Sequence, residues 1–237
     1  MGAALERCAD LLESARGDLY TDAAVVLFGR APLLAKAGRL EEARQGLAFS
    51  RGVFEDLGLV LFLAAGWAQA AAELKLLEGD PVNAERHLSE GIEVLERIGE
   101  RGYWSSSLAL LLSRSVFLQG RLDEAWRFLQ RSQDVGEPGV VGSRVLWDRM
   151  RARLLAADGE VAEAVEVARR AVELEDDEAI GGRANAPMDL GEVLEIAGTR
   201  REAIACFEEA VSLHKRKGEV VSTARAQDRS SELAGVE

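Results

Sequence analysis

The sequence predicts an all-α protein, a right-handed solenoid of about five helical hairpins with a further helix at each end. Three observations lead there. The first is a repeat. Gly38, Gly79, Gly120, Gly159 and Gly198 stand 41, 41, 39 and 39 residues apart, and each is followed five residues later by an alanine (Ala43, Ala84, Ala125, Ala164, Ala203). A fixed period in this range marks stacked supersecondary units, each able to bury its apolar face only against its neighbours. The second is helical spacing around each glycine, as in Ala84, Leu88, Ile92 and Leu95, or Ala203, Phe207, Ala210 and Val211. The third is composition. The chain is 48% hydrophobic but only 5% aromatic, a mixture suited to close helix packing.

Taken in order, the elements are these. Residues 1–18 read as a lone amphipathic helix with Leu5, Cys8, Ala9, Leu12 and Ala15 on one face. It is either a cap or the second helix of a repeat whose first half is missing. Residues 19–58 are repeat one, and Pro32 inside its first helix predicts a kink or an early break. Repeat two, 59–99, takes in most of the apolar run Leu57 to Ala72. That run is shorter than the ~18 residues of a membrane span and reads as a buried solenoid helix. Asp80 and Pro81 suit the cap and first position of the next helix, on which His87 reads as partly exposed. Repeat three, 100–136, opens its first helix with Tyr103 and Trp104. A loop around Gly136-Glu137-Pro138-Gly139 leads to repeat four, 140–177. There the repeat pattern puts Arg151 at an apolar position, so either the register slips by one residue or Arg151 is buried and paired. The acidic loop Asp176-Asp177-Glu178 precedes most of repeat five, 178–217. Pro187 is tolerated if its helix starts between Arg183 and Ala186. The cations His214 to Lys217 complement a helix C-terminus that Gly218 closes. Residues 219–235 form a polar capping helix.

Each glycine ends one helix in the left-handed conformation, and acidic residues in the following turn suit the dipole of the next. The small alanine lets the two helices approach closely. The segment Leu190-Gly191…Leu194…Gly198…Ala203…Phe207…Ala210 resembles the tetratricopeptide repeat over one full unit, and the other units match at the glycine and the alanine. The period exceeds the usual ~34 residues; HEAT-type arrays have a compatible period, but the glycine-to-alanine turn favours the tetratricopeptide reading. Segments such as Gly79-Asp80-Pro81…Ala84-Glu85…Leu88 and Arg216-Lys217-Gly218-Glu219-Val220 resemble the carboxy-terminal arrays of actinobacterial multidomain proteins. In those proteins a class III nucleotide cyclase or a DNA-binding module joins a signalling ATPase and then the array. The resemblance implies a regulatory or scaffolding role beside such domains.

Charge and motifs narrow the function. The 41 acidic and 29 basic residues give a net charge of −12, which disfavours nucleic acid and anionic membrane as partners. Cys8 and Cys206 form no disulfide framework or metal spacing, and the amino terminus has no signal-peptide pattern, so a reducing cytoplasm is expected. No Gly-x-x-x-x-Gly-Lys-Ser/Thr occurs, and neither histidine has metal-ligand spacing to another ligand. We therefore expect no catalytic, cofactor or metal site.

One constellation points to binding. The repeat pattern puts Arg114, Arg149 and Arg153 on the concave side, with Tyr103, Trp104 and Trp147 on the same first helices. Arginine forks and aromatic faces are common binding anchors. They suit an acidic peptide, a carboxylate or a phosphorylated ligand. The competing reading pairs these arginines with carboxylates of neighbouring helices and uses the tryptophans as packing. The expected function is a non-catalytic interaction or regulatory module with a protein or peptide partner or attached signalling domains. A small anionic effector is the alternative, and an enzyme the weakest.

Overall fold

The computed structural model describes residues 19–136, 141–174 and 185–235, with Gly2 and residues 5–7 besides. Among the described residues there is no strand. Helix α1 (Leu19–Lys36) forms a hairpin with α2 (Leu40–Asp56). A π-helical stretch (Phe62–Trp67) runs into α3 (Ala68–Leu77), which pairs with α4 (Pro81–Arg97). Helix α5 (Tyr103–Phe117) pairs with α6 (Leu122–Val135), α7 (Val141–Ala157) with α8 (Val161–Leu174), and α9 (Asn185–Ile196) with α10 (Arg200–Lys217). Helix α11 (Val220–Gly235) packs on α10. Neighbouring hairpins stack, and the whole is an all-α solenoid.

The repeat glycines do what their spacing predicts. All five have positive φ, from 73° to 87°. Around each, two backbone bonds close the preceding helix: Gly120 N–H donates to Phe117 O and Arg121 N–H to Val116 O, and the other four turns repeat the pattern. Any side chain at these positions would be strained. The five alanines that follow are each 0% exposed. Asp80 caps α4 by accepting from Asn83 N–H at 3.1 Å, and Pro81 occupies its first turn.

The core is a chain of apolar clusters along the stack. The largest centres on Leu88, Leu95, Leu108, Leu112, Leu129 and Leu154; the next on Val193, Leu194 and Phe207. Buried serines tie helices that lie very close. Ser50 Oγ donates to Ala24 O at 2.8 Å and Ser113 Oγ to Ala125 O at 2.7 Å. At Gly91, an added Cβ would lie 2.4 Å from Ala64 O, so α4 can touch the π-helical stretch only with glycine there.

Three expectations are corrected and one open choice is decided. Helix α1 continues through Pro32 without a break to Lys36. Of the two readings of repeat four the one-residue slip holds: the Arg151 side chain is 41% exposed and pairs with Glu163 at 2.6 Å, while the adjacent Met150 fills the core. His87 is buried rather than half-exposed, edge-on to Trp67 with ring centroids 5.3 Å apart. The run Leu57 to Ala72 is buried only from Ala64 onward; Leu57, Val60, Leu61 and Phe62 are exposed. Pro187 falls in the first turn of α9. Most of the proposed helix 1–18 and the loops at 137–140 and 175–184 lie outside the described residues.

The two ends of the array touch. Helix α11 contacts α1, and Lys36 Nζ lies 3.8 Å from Glu219 Oε1. Glu219 also accepts from His214 Nδ1 at 2.6 Å. Both residues are buried, so His214 serves this junction as well as the helix terminus that Gly218 closes (φ 73°).

Candidate ligand site on the inner side of the array

The first helices of the hairpins turn one face inward. In α5 that face carries Ser107, Leu110, Leu111 and Arg114; in α7 it carries Leu146, Arg149, Met150 and Arg153. Their steps of three and four are those of one helical face. Arg114 and Arg153 occupy the same repeat position, six residues before their turn glycines, and Glu73 and Glu192 occupy it in α3 and α9. With α11 closing on α1, these faces surround a cavity of about 320 Å³.

Its walls combine leucines and methionines with charge. Five cations line it (Lys36, Arg114, Arg149, Arg153, Arg225) against three carboxylates (Glu73, Asp189, Glu219), with Glu192 beside it as a fourth. That excess is local and opposite to the net charge of the chain. Arg149 Nε donates to Asp189 Oδ2 at 2.6 Å, and Arg153 pairs with Asp189 as well. Arg153 Nε donates to Glu192 Oε2 at 2.9 Å, and Arg225 Nη2 donates to Glu192 Oε1 at 2.7 Å.

Electrostatics follow from this crowding. Burial alone would raise the Asp189 carboxyl pKa, but the charges of Arg149 and Arg153 outweigh burial and hold it below its ordinary value. Arg153 is the converse: burial works against its charge, and Asp189 and Glu192 more than restore it. Arg114 is pushed down to about 10, first by burial and then by the charges of Arg153, Arg225 and Arg149, with Asp189 opposing. Its side chain is partly exposed yet strongly desolvated, as befits a group on the wall of a half-open cavity. At neutral pH it stays charged. Glu219 would be raised by burial, but its bond from His214 and the nearby Lys36 bring it below the usual carboxylate range.

Of the six residues singled out in the sequence, the structure brings Arg114, Arg149 and Arg153 together on the cavity wall. The three aromatic residues are elsewhere. Tyr103 is 66% exposed and stacks edge-on against Trp104, which packs on the core. Trp147 is buried, its Nε1–H donating to Ser132 Oγ at 2.9 Å. Sequence reasoning missed Lys36, Asp189, Glu192, Glu219 and Arg225. A comparison of repeat positions would have paired Arg153 with Glu192. Nothing in the sequence brings α11 round to α1.

Among the described residues no group of three or more histidines, cysteines or acids could hold a metal ion. Among them, too, no helix is long and apolar enough to cross a membrane. No protein-family model matches the chain, and no curated protein matches it significantly. Solved structures do resemble it. A Podosopora anserina putative kinesin light chain with nearly identical TPR-like repeats has 18% identity over 81% of this chain and 94% of its own, at a TM-score of 0.50. A point variant of that same protein has equal identity and coverage at 0.51. YrrB, described as a TPR protein with an unusual peptide-binding site, has 17% identity over 94% of this chain and 99% of its own, at 0.43, too loose a likeness to carry function. The likeness to the first two is one of fold, and the fold of this chain is that of a TPR-like helical-repeat array.

Proposed function

We propose that this chain is a non-catalytic interaction module that holds a short acidic protein segment against the inner side of its array. The carrying observation is the excess of cations on that side of an otherwise acidic protein, with Arg114, Arg149, Arg153 and Arg225 within one cluster. Arrays of this shape present a long inner surface made of many first helices, suited to a docked segment. In the reading that the sequence resemblance supports, the module sits in the cytoplasm as part of a larger bacterial signalling protein, beside an ATPase or cyclase.

The test is capture of a fluorescent acidic peptide. Arg149→Glu and Arg225→Glu are each expected to weaken binding about tenfold or more while far-UV circular dichroism stays unchanged. Undiminished capture by both variants would remove the inner side as the binding surface.

A second reading, a small anionic effector in the same place, is favoured by one observation. Helix α11 meets α1, and a cavity of about 320 Å³ is the size of a small-ligand pocket.

A further inference from the structure

We propose that Arg114 is a dedicated oxyanion site, taking one carboxylate or phosphate group from a ligand whose remaining body is apolar. This rests on the inner-side reading above and deepens it by naming the recognised group.

Three observations carry it. First, the Arg114 guanidinium makes no hydrogen bond or ion pair among the described residues, although it lies inside a cluster where every other guanidinium has a carboxylate. Arg149, Arg153 and Arg225 share Asp189 and Glu192, and Glu73, a further carboxylate on the wall, accepts from Gln69 instead. Secondly, that guanidinium is desolvated and surrounded by like charge, yet remains a cation at neutral pH. A desolvated charge without a partner costs stability, and such a residue is retained where something outside the fold supplies the counter-charge. Thirdly, Leu76, Leu110, Leu111, Leu146 and Met188 supply apolar wall around it. An anionic head at Arg114 with an apolar body against these side chains satisfies both. Glu73, Asp189 and Glu219 on the same wall restrict this position to one anionic group of the segment or effector.

The test uses thermal melting and titration calorimetry on the full chain, on Arg114→Met and on Arg114→Lys. The probes are octanoate, a leucine-rich peptide with a single aspartate, inorganic phosphate and, as the uncharged control, 1-octanol. At least one anionic probe is expected to raise the wild-type Tm by about 3 °C. It should bind Arg114→Met about tenfold more weakly or worse, with Arg114→Lys between the two. Without ligand, Arg114→Met should melt higher than wild type, because a thioether removes the uncompensated charge.

A response to octanoate alone assigns a free small anion, and to the peptide alone an acidic protein segment. A response to phosphate assigns the head group without the body. Equal binding of every anionic probe to wild type and Arg114→Met overturns the inference, as does binding of 1-octanol as tight as octanoate. A lower Tm for ligand-free Arg114→Met would make Arg114 a structural residue and overturn it too. If the peptide binds Arg114→Met undiminished but not Arg149→Glu, the inference fails and the interaction-module reading stands. If no probe binds any form, both fail.

Discussion

Arg114 and Arg121 sit seven residues apart on the two sides of one hairpin turn, and they live in opposite electrostatic worlds. Arg121 opens the second helix on the outer side. It donates to both Glu85 of the preceding hairpin and Glu124 of its own helix, and these bonds raise its pKa. Similar inter-repeat pairs recur outside, between Arg44 and Glu78, Arg131 and Glu96, and Arg169 and Glu202. Arg114 closes the first helix on the inner side, and among the described residues its guanidinium has no such hydrogen-bonded partner. The same residue type thus serves a solvated, over-supplied ion-pair ladder on one side and a crowded, under-supplied cluster on the other. Water screens the first, while the inner cluster must be balanced by specific neighbours or by a ligand.

The contrast is disturbed most severely by removing the carboxylate that two inner arginines share. Asp189→Ala leaves Arg149 and Arg153 without their common partner in a desolvated place. We expect a loss of about 3–5 kcal/mol in urea unfolding, with the fold retained in the residual native population. A loss below about 1 kcal/mol would show that water already enters the cluster and that inner and outer pairs are alike.

A smaller effect is expected from pH at the buried imidazole of His87. Burial, then the charge of Arg86, lowers its pKa, with Glu90 opposing and Arg51 and Lys75 adding to the decrease. The unfolded chain therefore takes up a proton near pH 6.5 while the native state resists it. Stability from this source is complete above that value and is lost as pH falls below it. The urea midpoint should drop between pH 7 and pH 5, and His87→Gln should flatten part of that drop. An identical pH profile in the variant would put the dependence elsewhere. The Asp189 and Glu219 carboxylates have lowered pKa values, so their contribution is lost only at more acid pH.

The smallest effect belongs to the outer ladder. Arg121→Ala should leave the Tm essentially unchanged, and adding salt should change wild type and variant alike. A clear fall in Tm would mean that the ladder between hairpins two and three behaves as a network.

Much of the architecture was legible because the residues that set it act locally. A positive-φ turn needs glycine at Gly79 or Gly120 whatever packs nearby, and Ala84 or Ala125 follows from the approach of two helices joined by that turn. Pro32 misled for a related reason. Proline disfavours a helix interior locally, but packing against α2 and α3 sustains α1 through it. A one-residue shift of phase moves Arg151 to the surface and Met150 to the core. For the candidate site, helical phase was enough to put three arginines on one side. It could not tell that Trp147 turns into the core towards Ser132, since an aromatic residue suits either place.

Repeat, hairpins and turns follow from the order of amino acids alone, because period, glycine and small residues constrain neighbouring stretches of chain. The return of α11 to α1 through Lys36, His214 and Glu219 is a product of the packed array, and so is the choice by which Asp189 bonds two arginines and, among the described residues, leaves the Arg114 guanidinium unbonded. Those contacts join residues far apart in sequence. They depend on small rotations accumulated over every repeat, which no local pattern records.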